Sequence, residues 1–156
     1  MKIFENLGGL DAPVRACITA ATQATRDLVM VNGQLDTQLA HRHQRALHGL
    51  AWIATTAEAI LATARWGQRL ADGGGMGSTG ATDAGAVHAH LAHRPAESLL
   101  LGIGIGEYLQ QLTGGLPMGQ NEIFRPHELG LDDAVQALRS APSVAWFLEH
   151  RSEDVV

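Results

Sequence analysis

Three histidines, His88, His90 and His93, form an HxHxxH run whose density suits a transition metal. On a helix His90 and His93 share a face, while His88 points away by about 160°. No carboxylate follows closely, so the run allows metal capture without defining a coordination sphere. A second pair, His41 and His48, lies seven residues apart with Trp52 one turn further on. Histidine titrates near pH 6.5, so such a pair fits a pH-sensitive interface; the plainer reading is a set of hydrogen-bonded interfacial side chains. His127-Glu128 does not open an HExxH zinc motif, because Leu131 occupies the second histidine position.

The carboxylates Glu107, Glu122 and Glu128 are the remaining acid–base candidates, and nothing in the sequence pairs them. Glu107 sits beside Tyr108 in an apolar stretch, which points to a satisfied internal acid rather than a base. Gly102, Gly104 and Gly106 suggest a dinucleotide fingerprint, but Glu107 stands where the third glycine belongs and no strand precedes them. Gly102 and Gly106 read better as small residues that let another helix backbone approach. The stretch DGGGMGSTGATDAG lacks the lysine of a phosphate-binding loop, and no GxSxG motif occurs. No residue is therefore assigned a catalytic, cofactor or metal role in this chain.

The elements around these residues are helical. Asp11 is a good N-cap with Pro13 in the first turn, and Val14, Ile18, Ala21, Thr25, Leu28 and Val29 give a stripe that Asn32-Gly33 stops. Asp36 caps a long second helix reaching about Ala71. Ala46, Leu50, Ile53, Ala57, Ile60 and Ala64 form its continuous apolar face, widened by Leu47, Ala54 and Leu61. On its other side fall His41, His48, Trp52, Ala59 and Trp66, with a narrow polar strip of Gln44, Glu58, Arg65 and Arg69. A helix apolar on two sides is either sandwiched within its own fold or docked onto something else, and Trp is enriched at interface anchors.

Residues 72–85 form a flexible Gly-rich loop. A third helix begins between Val87 and Pro95 and runs to Thr113, with Leu101, Ile105, Tyr108 and Leu112 on one face. Gly114-Gly115 and Pro117 end it. LPMGQNEIFRPHELG is an ordered connector held by Leu116, Ile123 and Phe124. Short helices follow over 132–150, one capped by Asp132 and carrying Val135 and Leu138, the next capped by Ser143 and carrying Trp146, Phe147 and Leu148. The expected fold is all-α: a single domain over 1–156, an antiparallel bundle of about three main helices.

Composition agrees. The chain of 156 residues is 46% hydrophobic and only 4% aromatic, a balance that favours helices over strands. A formal charge of −5 and a lone lysine, Lys2, argue against nucleic acid. The N-terminus lacks the apolar stretch of a signal peptide, and no apolar run is long enough for a membrane span, which points to a cytoplasmic protein. Cys17, the single cysteine, reads as a buried thiol.

Two segments together carry a family resemblance: LHGLAWIATTAEAI at Leu47–Ile60 and GEYLQQLTGGLPMGQNEIFRPHELGL at Gly106–Leu131. They resemble the helical N-terminal extension of the methylsuccinyl-CoA dehydrogenase type of acyl-CoA dehydrogenases. In that family the extension precedes a longer body that binds FAD and the acyl-CoA thioester. The resemblance implies that flavin and catalytic base belong to that body or a partner, and that this chain, ending at Val156, carries neither. The resulting expectation is a non-catalytic helical domain that associates with a flavoprotein acyl-CoA dehydrogenase, or with itself as a homo-oligomer. His48, Trp52, Trp66 and Phe124 are its expected interface. The alternatives are a small enzyme or metal-binding protein using Glu107 or the His88, His90 and His93 cluster, and an unrelated regulatory adaptor.

Overall fold

The computed structural model describes residues 2–72 and 95–150. The Gly-rich loop beyond Asp72 and the His88, His90 and His93 cluster lie outside the described residues.

The chain folds as an antiparallel helical bundle with two very short β ribbons. Its elements are α1 (Lys2–Leu7), a 3-10 turn (Gly8–Leu10), α2 (Asp11–Val29), β1 (Met30–Val31), β2 (Gln34–Leu35), α3 (Thr37–Arg42) and α4 (Gln44–Ala71). They are followed by α5 (Pro95–Gly114), β3 (Leu116–Gly119), β4 (Glu122–Phe124), a 3-10 turn (Pro126–Leu129), α6 (Asp132–Ser140) and α7 (Pro142–Glu149). Among the described residues no helix is long and apolar enough to cross a membrane.

Helix α4 is the centre of the bundle, packed between α2 and α5 with α1 against it. Its buried residues include Ile53, Ala57, Ile60, Leu61 and Ala64, most of the face that the spacing predicts. Ala46 and Leu50 are only half-buried, because the start of the helix lies at the edge of the core. Helices α2 and α5 pack on α4, while its Trp52 and Trp66 side is only half-buried.

Several expected boundaries shift, each for a local reason. Asp11 is not a cap: Leu10 before it is already helical, and the Asp11 carboxylate instead accepts from Arg15 Nε at 3.0 Å. The helical chain starts at Lys2 and buries Ile3, Leu7 and Leu10. Asn32 and Gly33 both take left-handed φ, 51° and 78°, and make the two-residue turn joining β1 to β2 after α2 has ended at Val29. Asp36 does cap, its carboxylate accepting from the Gln38 and Leu39 amides, but it caps α3 alone. His43 breaks the run with φ −106° and ψ 30°, so His41 and His48 stand on different helices. At the other end, Leu131 and Ala141 occupy the cap positions of α6 and α7, each one or two residues before the expected Asp132 and Ser143.

Helix α5 buries Leu101, Ile105 and Leu112 as expected, together with Gly102, Gly106 and Leu109. The buried face is turned toward those two glycines, which leaves Tyr108 at its exposed edge. Close approach of α5 to α4 is also built from the α4 side. A Cβ on Gly67 would come within 2.6 Å of Leu7 Cδ1 and 3.0 Å of the Leu101 methyls. The buried Thr25 and Thr113 hydroxyls donate to carbonyls four residues back, which satisfies them inside the core.

Candidate functional site

The four expected interface residues do not form one patch. Trp52 Nε1–H donates to His48 Nε2 at 3.0 Å across one turn of α4, with ring centroids 6.4 Å apart. His48 is exposed and Trp52 half-buried, so the indole lies on the rim of the core with its polar edge already occupied. Trp66 lies on the same side of α4, about 21 Å further along at 1.5 Å per residue, and is also half-buried against the core. Phe124 is a correction. It is 1% exposed and belongs to the core, where its ring lies against Gly49 in space that no other residue type would leave.

Glu107 is also corrected. It lies exposed on the outer side of α5 and is not an internal acid. Glu122 and Glu128, which the sequence left unpaired, meet at Arg45 on α4. Its Nε donates to Glu128 at 2.6 Å, its Nη1 to Glu122, and its Nη2 to the Ile123 carbonyl at 2.9 Å and to Glu128 at 3.1 Å. The guanidinium also stands 5.7 Å from the centre of the Phe124 ring. Glu128 accepts a further bond from the Arg125 amide at 2.8 Å. The Arg45 hydrogen bond, followed by the Arg125 amide, lowers the Glu128 carboxyl from 4.5 to about 2. Arg45 is raised in turn, first by its bond to Glu128.

This clasp fixes the β3–β4 hairpin and the following 3-10 turn onto the start of α4. Between the end of α5 and the start of α6 an open cleft of about 480 Å³ is lined by Arg125, His127, Asp132, Asp133 and Arg139 among others. Both signs of charge face it. Among the described residues, no group of three His, Cys, Asp or Glu side chains is arranged to hold a metal.

Beside the clasp, the contact of Gly49 with Phe124 joins the two segments that carry the resemblance. Gly49 belongs to the first, while Glu122, Phe124 and Glu128 belong to the second, and in space they are one packing unit. A (2S)-methylsuccinyl-CoA dehydrogenase of Cereibacter sphaeroides is 30% identical over 119 residues, covering 76% of this chain. The chain is a distant homologue of an acyl-CoA dehydrogenase. It spans 19% of that relative's length. No protein-family profile matches it. The acyl-CoA dehydrogenase-like part seen here is therefore a helical domain with its own hydrophobic core.

Proposed function

We propose that this chain is a non-catalytic helical domain corresponding to the N-terminal extension of methylsuccinyl-CoA dehydrogenase-type enzymes, and that it associates with an FAD-dependent acyl-CoA dehydrogenase. One observation carries the reading: the similarity covers 76% of this chain but only 19% of the dehydrogenase. A match of that shape pairs this domain with a small portion of a much longer enzyme. Within the two resembling segments Gly49 packs under Phe124, and Glu122 and Glu128 of the second bind Arg45 just ahead of the first. In this reading FAD and the acyl-CoA thioester belong to the partner. The Trp52 and Trp66 side of α4 is the docking face, since two half-buried indoles offer large area at low entropic cost.

The test is capture of tagged full-length chain from its native lysate, followed by mass spectrometry and a flavin absorbance spectrum of the eluate. Stoichiometric recovery of a flavin-containing dehydrogenase, lost on Trp52→Ala or Trp66→Ala, supports the reading. Recovery of partners without flavin favours an unrelated adaptor and overturns it.

A further inference from the structure

The bond between Trp52 and His48 fixes a protonation state. An indole N–H can only donate, so the nitrogen that receives it, His48 Nε2 at 3.0 Å, must be bare. His48 is therefore held as a neutral imidazole with its proton on Nδ1. The imidazolium form has two N–H donors and no acceptor, so the bond cannot exist in it. His41 makes a similar contact, its Nδ1 lying 3.0 Å from Gln44 Nε2. That contact survives protonation, because a glutamine amide can turn its oxygen toward an N–H. An indole has no oxygen to turn, so only the Trp52 contact is lost.

The charged groups around His48 offer no replacement. Helix α4 brings Arg45 three residues before it, and α3 brings His41 and Arg42. Antiparallel α2, whose Arg15 lies 3.9 Å from Glu58, places Arg26 and Asp27 at the level of His48. Exposed Asp27 accepts from Gln23 at 2.7 Å. Helix α5, level with Gly67 at Leu101, ends before it reaches His48 and gives way to β3, which has no charged side chain. Glu122 and Glu128 are taken by Arg45, and Arg125 and His127 line the cleft against α6. Among the described residues no carboxylate pairs with His48, so an imidazolium there gains no partner for the bond it loses.

We infer that His48 is a proton-operated latch on Trp52. Neutral, it accepts the indole N–H and leaves this side of α4 apolar; protonated, it releases the indole and sets an unpaired positive charge beside it. A released N–H and an unpaired charge both oppose burial in a dry contact. Docking at the Trp52 and Trp66 side therefore weakens as pH falls. The latch rests on the geometry of His48 and Trp52 alone, while its effect on docking rests on the function proposed above.

Long-range proton–nitrogen NMR spectra of the isotope-labelled full chain test the latch at about pH 8 and about pH 5. His48 is assigned by the loss of its signals in His48→Gln, and the Trp52 indole by Trp52→Phe. At the higher pH His48 Nε2 is expected to be bare and Nδ1 protonated. At the lower pH both carry protons and the Trp52 indole N–H resonance moves, a change that His48→Gln abolishes. A proton on Nε2 at the higher pH overturns the latch, as does an indole resonance that titrates equally in His48→Gln. Lysate capture repeated at the two pH values tests the effect on docking. Wild-type recovery of the dehydrogenase is expected to fall by about fivefold or more at the lower pH, and that ratio to shrink toward one in His48→Gln. An equal fall in both proteins overturns the effect on docking. Failure to capture a dehydrogenase at either pH overturns the proposed function instead, and the imidazole spectra still decide the latch.

Discussion

The ring of Phe124 lies against the α carbon of Gly49, 75 residues earlier in the chain, so closely that a Cβ at position 49 would overlap it. The ring is 1% exposed and has no free space to swing into. Gly49→Ala gains about 1 kcal/mol of helix propensity but forces an overpacked core that typically costs about 1–3 kcal/mol. The expected outcome is net destabilisation, seen as a lower urea midpoint at unchanged slope. Combining it with Phe124→Leu should give less than the sum of the two single effects, because both act on one contact. Additive effects would mean that the two residues do not share that space.

The Arg45 clasp gives a pH dependence with a defined sign. Glu128 is held at about 2, below its ordinary 4.5, chiefly by the Arg45 hydrogen bond and then by the Arg125 amide. A lowered carboxylate pKa contributes stability that is complete above the unfolded value and is lost as pH falls toward the folded one. Wild-type stability should therefore decline between about pH 4.5 and about pH 2 by an amount that Glu128→Gln removes, with parallel curves above pH 5. The exposed setting of Arg45 and Glu122 keeps the effect modest. Identical acid limbs in the two proteins would show that the clasp does not hold in solution.

What could be read from the sequence follows the range of the signals. The all-α class and the α4 face from Ile53 to Ala64 depend on spacings within a few residues and appear in the fold, whereas Asp36 caps α3 and not the long helix expected of it. The break at His43 has no Pro or Gly to announce it, so one expected helix became two. The first expected helix starts at Asp11, whereas the helical chain reaches back through the 3-10 turn Gly8–Leu10 to Lys2. Pairing of Arg45 with Glu122 and Glu128 spans 77 and 83 residues, and no local pattern encodes it. Phe124 holds the connector as expected but belongs to the core and not to an interface, and its cover, Gly49, is distant in sequence. The two segments that carry the family resemblance meet in space where Phe124 lies against Gly49.

Arg45→Met keeps the aliphatic stem but removes every bond to the hairpin. The Ile123 carbonyl loses its guanidinium donor, and Glu122 and Glu128 lose their shared partner. Amide hydrogen exchange should then accelerate in β3, β4 and the 3-10 turn at Pro126–Leu129. Protection in the central turns of α4 around Ile53 to Ile60 should hardly change, since those residues are buried by α2 and α5. Loss of protection throughout α4 would instead make the clasp part of the global folding unit.

Cys17 lies 2% exposed on the buried face of α2, and burial raises its thiol above the ordinary value. The thiolate is the reactive form, so both access and ionisation oppose modification. A thiol reagent such as DTNB should label native protein only through opening of the fold, and denatured protein at once. Labelling of native protein at the rate of a free thiol would place α2 in a far looser state than its packing implies.

The N-terminal helix is the least expected element, and its contribution can be measured from one contact. Leu7 is 1% exposed, and its Cδ1 occupies the space above Gly67, where it also shields the pairing of α4 with Leu101 of α5. If α1 docks as firmly as this burial implies, Leu7→Ala opens a cavity at the junction of three helices and costs about 2–5 kcal/mol. Small domains have only about 5–15 kcal/mol in total, so the melting temperature should fall by many degrees. Gly67→Ala offers a control of opposite geometry. Its new methyl group competes for the same space, so it should be costly in the wild type and better tolerated beside Leu7→Ala, where the space has been vacated. A Leu7→Ala protein that melts within a degree or two of wild type would show that α1 is only loosely laid on the bundle. The core would then begin at α2, as the sequence alone had suggested.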